Sequence, residues 1–215
     1  MRVATSIFSA ATCRYRSRRS ISVAYSAGAG IVSVEPKYRG WCTLYIATIR
    51  LADGRTITRE IEDHGAAACV LPYDPLRRTA LLIRQLRAPP LHVAGEAAII
   101  EAPAGLIDPG EDAPTTARRE AMEEVGVRLT TLEQVSNAWT MPGISAERMP
   151  LFLGTYAQQD RVGAGGGESG EQIEVVEMAL DELATMADAG TLADLKTFAL
   201  VQSLRLRRPE LFIPA

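Results

Sequence analysis

Residues 105–127 constrain the fold of this chain more than any other part of its sequence. They read GLIDPGEDAPTTARREAMEEVGV. Asp112 can cap a helix, Pro114 suits a first helical turn, and Gly126 can end the helix in a left-handed conformation. Apolar residues recur at every fourth position between these caps, which is typical of a helix that packs one side against a core. The stretch therefore predicts a loop–helix–loop unit, with the helix over residues 112–125.

The predicted helix carries several acidic side chains on one face. Glu120 and Glu124 are one helical turn apart, and Glu123 lies beside them. Glu111 precedes the helix and can fold back onto the same face. Like charges at this spacing cost about 0.2–0.5 kcal/mol per pair in an isolated helix, and Arg119 offsets only part of that repulsion. A divalent cation offsets more, and carboxylate oxygens with room for water suit Mg²⁺, for which Mn²⁺ can substitute.

Other site chemistries find little support in the sequence. His64 and His92 are far apart and lack metal-ligand spacing, so a zinc site or a histidine-based triad is not expected. The three cysteines, Cys13, Cys42 and Cys69, are scattered and are expected to be free thiols in a reducing compartment. The net charge of −3 argues against general nucleic-acid binding. No apolar run approaches the roughly 20 residues that span a bilayer, so no membrane partner is expected.

Short β-type runs surround the predicted helix. The first two runs are joined at Asp53-Gly54, which is a strong hairpin signal. Strands interleaved with a few helices indicate the mixed α/β class. Strands are predicted at residues 42–51, 55–62, 66–72, 79–87, 97–102, 132–138, 150–157 and 173–177, with further helices over residues 181–190 and 192–207.

Residues 105–127 resemble the Nudix box, Gly-x5-Glu-x7-Arg-Glu-U-x-Glu-Glu-x-Gly-U, in which U is an apolar residue. Seven fixed residues at fixed spacing are hard to reach by chance. The resemblance implies a Nudix-type α/β/α sandwich with a mixed sheet, preceded by a small antiparallel β extension. It also implies a divalent-metal-dependent hydrolase of nucleoside diphosphate derivatives. The fixed positions are filled by Gly105, Glu111, Arg119, Glu120, Glu123, Glu124 and Gly126, with Ala121 and Val127 as the apolar residues.

The flanking sequence resembles the ADP-ribose and sugar-nucleotide pyrophosphatase branch of that family. The similarity lies in IRQLRAPP, EAPAGLID and MPGISAER, and in Pro142, about 15 residues past the box. Residues 163–178 and the late segment GTLADLKTFALVQSL are similar to GDP-mannose pyrophosphatases. This implies hydrolysis of a nucleoside diphosphate sugar, of the ADP-ribose or GDP-mannose type, to a nucleoside monophosphate and a sugar phosphate.

The resemblance also assigns roles to residues of the box. Arg119 would orient the glutamates through charge-assisted hydrogen bonds. The implied metal ligands are Glu120, Glu124 and the backbone carbonyl of Ala104, with Glu111 and Glu123 as secondary ligands or water organisers.

Outside the box, Glu171 falls where a loop glutamate of the family holds or activates the attacking water. Glu168 and Glu174 are close enough to take its place, so the identity of the base stays open. By the same resemblance, Arg59, Arg84, Arg87 and Glu101 match positions that contact nucleotide or phosphate, and the alternative for each is a charged residue at a strand end. Pro142 is a further substrate-binding candidate, as a mark of the same branch.

The sequence divides into three predicted regions. Residues 1–37 form an arm that is Arg-rich and acid-poor before Glu35. Either an organelle transit peptide or an over-called start codon gives such a composition. We favour the second, which implies a cytoplasmic protein; the first implies an organelle matrix. Residues 38–63 are predicted to form a β hairpin that supports a homodimer, and residues 64–215 to form the Nudix domain.

Two alternatives to the sugar-nucleotide function stay open. One is a Nudix hydrolase that acts on nucleoside triphosphates or a dinucleotide. The other is a catalytically silent Nudix domain that senses a nucleotide. The intact glutamates argue against the second alternative, because a module that only binds has no need of clustered carboxylates.

Overall fold

A computed structural model of the chain describes residues 28–167 and 172–213. Glu168 and Glu171, and most of the arm, lie outside the described residues. No helix in the described part is both long and apolar enough to cross a membrane. The strands are β1 (Gly30–Arg39), β2 (Thr43–Arg50), β3 (Thr56–Asp63), β4 (Ala67–Asp74), β5 (Thr79–Leu86), β6 (Ala98–Glu101), β7 (Ala104–Leu106), β8 (Thr131–Trp139), β9 (Arg148–Thr155) and β10 (Ile173–Ala179). The α-helices are α1 (Ala88–Ala94), α2 (Ala113–Val125), α3 (Leu180–Asp188) and α4 (Leu195–Arg207).

The first three strands form a separate antiparallel sheet in the order β1-β2-β3. The predicted hairpin is present as β2 and β3, and Gly54 takes a positive φ of 85° in the turn between them. A third strand precedes it, because β1 begins at Gly30. The expected boundary after residue 37 therefore falls inside a strand. Ile31, Val32 and Val34 of β1 are β-branched and favour extended backbone. This preference outweighs the Arg-rich, acid-poor composition from which an arm was predicted.

The central sheet has the order β10-β5-β4-β9-β8, and β6 and β7 extend it by pairing with β5 and β4. β4 and β9 are parallel, whereas the other pairs are antiparallel. Every residue of β4 is buried, as expected of a central strand that is covered on both faces. The mixed sheet predicted from the sequence is confirmed.

Helices cover both faces of this sheet. Alternate residues of β4 point to opposite sides, so Ala68 and Val70 lie in one core cluster and Cys69 and Leu71 in another. The first cluster contains the apolar side of α2, and the second contains buried residues of α3 and α4. The α/β/α sandwich is therefore confirmed, and it fixes α2 against one end of β4.

Besides β1, two further elements were not predicted from the sequence. Helix α1 contains Pro89 and Pro90, which usually end helices, but both lie in its first turn, where a proline removes only an N–H that has no helical partner. Strand β7 has three residues and is too short to show a period. It matters for the site because it pairs with β4 beside α2.

Candidate active site

Helix α2 is capped as the sequence predicted. The Asp112 side chain accepts a hydrogen bond from the Thr115 amide at 2.9 Å. At the other end Gly126 has a φ of 68°, and its amide donates to the Met122 carbonyl at 3.1 Å. These caps fix the length of the helix and so determine which of its side chains face the sheet.

Two glutamates of α2 are turned inward. Glu120 is 7% exposed and Glu124 is 4% exposed, although both are ionisable. Glu124 Oε2 accepts a hydrogen bond from the Ala104 amide at 3.0 Å. Glu124 and Ala104 are thus brought together, as the resemblance implied, although the contact uses the amide of Ala104. The role of its carbonyl as a metal ligand stays a prediction.

Gly105 lies directly against the second of these carboxylates. A Cβ at this position would overlap the carboxyl group of Glu120. The close approach of strand and side chain therefore explains the glycine at this position. Gly110, in contrast, does take a positive φ of 94° in the preceding loop.

Arg119 forms hydrogen bonds with three acidic residues of the box. Its Nη1 donates to Glu120 Oε1 at 2.7 Å and to Glu123 Oε2 at 2.9 Å, and its Nε lies 3.3 Å from Glu111 Oε1. A further bond from Nη2 reaches the Leu106 carbonyl at 2.9 Å. Burial alone would lower the pKa of Arg119, but the surrounding carboxylates outweigh it and hold that pKa above its usual value.

The acidic residues are compatible with a hard divalent cation. Within residues 28–167 and 172–213, no three His, Cys, Asp or Glu side chains already form a metal-binding group. Mg²⁺ does not require one, because it is usually held by one or two carboxylates together with substrate phosphates and water. Glu120 and Glu124 offer two buried carboxylates beside a strand that carries no side chain at Gly105. That donor set fits the ion.

A cleft of about 620 Å³ opens beside β7. Its size is typical of a small-molecule site. The turn between β1 and β2, the residue after β3, β6, β7, the end of β8 and the start of α4 all contribute to its walls. The lining includes Trp41, His64, Arg87, Glu101, Ala104, Gly105, Trp139 and Lys196.

Glu101 organises one wall of the cleft. It is 2% exposed. Arg87 binds both its carboxylate oxygens, through Nε at 2.6 Å and Nη2 at 3.1 Å, and Lys196 Nζ binds Oε2 as well. Burial alone would raise the pKa of Glu101, but the two cations outweigh it and hold that pKa below its usual value. Arg87 and Glu101, two of the predicted substrate-binding residues, therefore line the cleft as an ion pair.

Lys196 and Asp194 were missed in the sequence. Lys196 Nζ contacts Asp194 Oδ1 at 2.8 Å as well as Glu101. Asp194 caps α4, since its side chain accepts from the Thr197 amide at 2.9 Å. The spacing Asp-x-x-Thr is a helix-start signal, and it would have placed Lys196 in the first turn of this helix.

The other predicted residues lie elsewhere. Arg84 pairs across two strands with Glu174, at 2.8 Å. Arg59 lies on β3, where its Nη1 donates to the Thr58 carbonyl at 2.8 Å, and it lines a second cavity of about 330 Å³. Pro142 lies in the loop 140–147 between β8 and β9. Glu171 lies outside the described residues. Of the predicted substrate-binding residues, Arg87 and Glu101 line the larger cleft.

Known proteins are similar to this chain over most of its length. The family profile of the NUDIX domain matches residues 63–200. The GDP-mannose pyrophosphatase of Cronobacter sakazakii is 38% identical over 159 residues, which are 72% of this chain and 82% of that protein. The GDP-mannose pyrophosphatase of Pectobacterium atrosepticum is 33% identical over 167 residues, 76% of this chain and 86% of that protein.

A similar fold is also found among solved structures. The crystal structure of an ADP compounds hydrolase matches with a TM-score of 0.69 and 19% sequence identity. The match covers 86% of this chain and 97% of that one. At this identity the likeness concerns the fold alone.

Proposed function

The chain belongs to the NUDIX domain family, and we propose that it hydrolyses the pyrophosphate of a nucleoside diphosphate sugar of the GDP-mannose or ADP-ribose type. The products would be a nucleoside monophosphate and a sugar phosphate. The observation that carries this proposal is the position of Glu120 and Glu124, two buried carboxylates at β7, beside a cleft large enough for such a substrate. The GDP-mannose pyrophosphatase relatives support the same substrate class.

The proposed cofactor is Mg²⁺, with Mn²⁺ as a substitute. It would be held by Glu120, Glu124 and the Ala104 carbonyl, with Glu111 and Glu123 as secondary ligands. When bound, such an ion neutralises phosphate charge and lowers the pKa of a water molecule.

The chain's own groups keep this arrangement rigid. Arg119 and the Ala104 amide fix the orientation of the two inner carboxylates through hydrogen bonds of 2.7 Å and 3.0 Å. Held in this way, the carboxylates do not have to reorganise when substrate binds, which is the usual benefit of a preorganised site. Glu171 is the proposed residue that holds or activates the attacking water, with Glu168 and Glu174 as alternatives.

The function is tested by a parallel assay of the purified protein. With MgCl₂ present, GDP-mannose, ADP-ribose, NADH and dATP are offered separately, and the products are identified by mass spectrometry. We expect GMP with mannose 1-phosphate, or AMP with ribose 5-phosphate, and no turnover in EDTA. Activity on dATP alone would overturn the substrate class. Activity on none would favour the nucleotide sensor.

Replacing Gly105 with alanine should lower kcat about tenfold while leaving the fold intact. The new methyl group pushes the Glu120 carboxylate away from β7. This costs little stability, because the end of a glutamate side chain can move, but misplacing a catalytic group slows the reaction. The measurement is kcat together with the urea midpoint. Gly30→Ala is the matched control, since a Cβ there meets nothing within 4 Å; equal kcat in the two variants would contradict the close-approach argument.

We further propose that the protein is a homodimer that associates through the N-terminal sheet. Ile31, Val32 and Val34 are 59%, 50% and 45% exposed on β1, and exposed apolar side chains concentrated on one strand are consistent with an interface. Light scattering should give twice the monomer mass for the native protein, and Ile31→Asp should give a monomer. A native protein of monomer mass would contradict the dimer.

A further inference from the structure

His64 is held between two carboxylates at the wall of the cleft. Its Nδ1 lies 2.6 Å from Glu62 Oε1, and its Nε2 lies 3.1 Å from Glu147 Oε1. The ring of Trp41 stacks on the imidazole, with ring centroids 4.8 Å apart and an angle of 23° between the planes. His64, Trp41 and Glu147 all line the cleft.

These contacts join two separate walls. Glu62 belongs to β3 of the N-terminal sheet, whereas Glu147 closes the loop 140–147 that precedes β9. The backbones are already joined, because the Glu62 amide donates to the Ile144 carbonyl at 2.9 Å and the Ala146 amide donates to the Glu62 carbonyl at 2.8 Å. The side chain of Glu147, in contrast, depends on His64 for its position in the cleft.

Hydrogen bonds from His64 to both carboxylates require a protonated ring. A neutral imidazole has one N–H donor, and an ionised carboxylate can only accept. With both ring nitrogens against carboxylates, both contacts are hydrogen bonds only if the ring is an imidazolium. Burial alone would lower the pKa of His64, but the hydrogen bonds and charges of Glu62 and Glu147 outweigh it and raise that pKa above its ordinary value.

The charged neighbours of His64 reinforce this state. Burial alone would raise the pKa of Glu62, but its hydrogen bond with His64 and the nearby polar side chains of Ser145 and Cys42 outweigh it and lower that pKa. When His64 is charged, the group of Glu62, His64 and Glu147 carries one net negative charge. When His64 is neutral, it carries two.

We propose that His64 is a positioning residue whose positive charge fixes Glu147 and keeps this wall of the cleft able to accept a doubly charged pyrophosphate. Loss of the proton frees Glu147 and leaves two carboxylates that repel the substrate. The effect falls on substrate binding, since the side-chain hydrogen bonds of His64 go to Glu62 and Glu147 and not to the acidic helix. The anionic ligand in this inference rests on the proposed function. The contacts of His64 with Glu62 and Glu147, called the clasp below, do not depend on it.

The clasp is tested first without any substrate. The chain has two histidines, so the NMR signals of the imidazoles are assigned with the exposed His92→Gln variant. We expect the His64 signal to titrate above the ordinary value of 6.5, and its midpoint to fall in Glu147→Gln.

In a Trp139→Phe background, leaving Trp41 as the single tryptophan, fluorescence should be quenched over the same pH range as His64 gains its proton. A midpoint at or below 6.5, or one that Glu147→Gln does not change, would overturn the clasp.

The consequence for binding is tested by KM and kcat between about pH 6 and pH 9. For the native protein we expect KM to rise about tenfold as His64 loses its proton, which corresponds to one lost charged hydrogen bond, with kcat nearly constant. His64→Gln should show the high KM at every pH. His64→Arg, which keeps the charge, should show the low KM at every pH, and His92→Gln should match the native profile.

The failures of this inference and of the proposed function are distinguishable. If His64→Gln keeps the native KM profile in an active enzyme, the positioning role is wrong and the hydrolase stands. If no nucleotide sugar is hydrolysed but His64 titrates as described, the function is wrong and the clasp stands.

Discussion

Replacing Glu124 with glutamine is expected to lower kcat at least about 100-fold, as is usual when a metal ligand or catalytic base is removed. Glutamine has nearly the same shape, and its amide oxygen can still accept the hydrogen bond that the Ala104 amide donates at 3.0 Å. The packing of α2 against β7 is therefore kept, and the loss isolates the negative charge. Because Glu124 is 4% exposed, solvent cannot replace that charge. The measurement is steady-state turnover at saturating Mg²⁺, with the urea midpoint to verify the fold.

The chain offers a matched control for this change. Glu133 lies on β8, where it pairs with Arg207 and Arg208 away from the cleft. Glu133→Gln removes the same charge and should leave kcat within about twofold of the native value, because exposed ion pairs contribute little. Near-full turnover by Glu124→Gln would mean that the inner carboxylates have no part in the chemistry.

Local signals in the sequence were sufficient to predict the acidic helix. The N-cap at Asp112, the proline in the first turn and the glycine at the end all agree, so residues 112–125 were predicted and Ala113–Val125 is observed. The common face of Glu120 and Glu124 follows from the helical period alone. Strand β4 could also be predicted, since a continuous apolar run between turn residues is typical of a central strand.

Contacts between distant parts of the chain could not be predicted in this way. Lys196 and Glu101 are 95 positions apart, and His64 and Glu147 are 83 apart. Each pair depends on the order of strands in the sheet and on where loops cross its edge, which no local period encodes. The same limit applies to Gly105, whose role is set by Glu120 on a facing element. The position of Arg84 beside Glu174 likewise depends on the register of β5 with β10, and its role in substrate binding stays a prediction.

Removing the charge of Glu101 should be the most destabilising single change at the site. Glu101→Gln keeps the volume of the side chain but leaves Arg87 without its counter-charge and the largely buried Lys196 with Asp194 alone. Breaking a buried ion pair from one side typically costs about 3 kcal/mol, because the remaining charge is not compensated. The measurement is the free energy of unfolding from urea titration at pH 7.

The acid dependence of stability provides a second measurement on the same variant. The pKa of Glu101 is lowered in the folded protein, so its contribution is present above the unfolded pKa, near 4.5, and is lost as the pH falls through the lower folded value. Native protein should therefore lose more stability than Glu101→Gln when the pH is lowered from 7 to about 3.

A second substitution separates charge from packing at this position. If the cost in Glu101→Gln comes from an uncompensated cation, adding Lys196→Met should restore part of the lost stability, since methionine fills a similar space without charge. Asp194 loses its contact with Lys196 in that double variant, but it keeps the hydrogen bond from the Thr197 amide that caps α4. A double variant no more stable than Glu101→Gln would show that Glu101 contributes through its hydrogen-bond geometry and not through its charge.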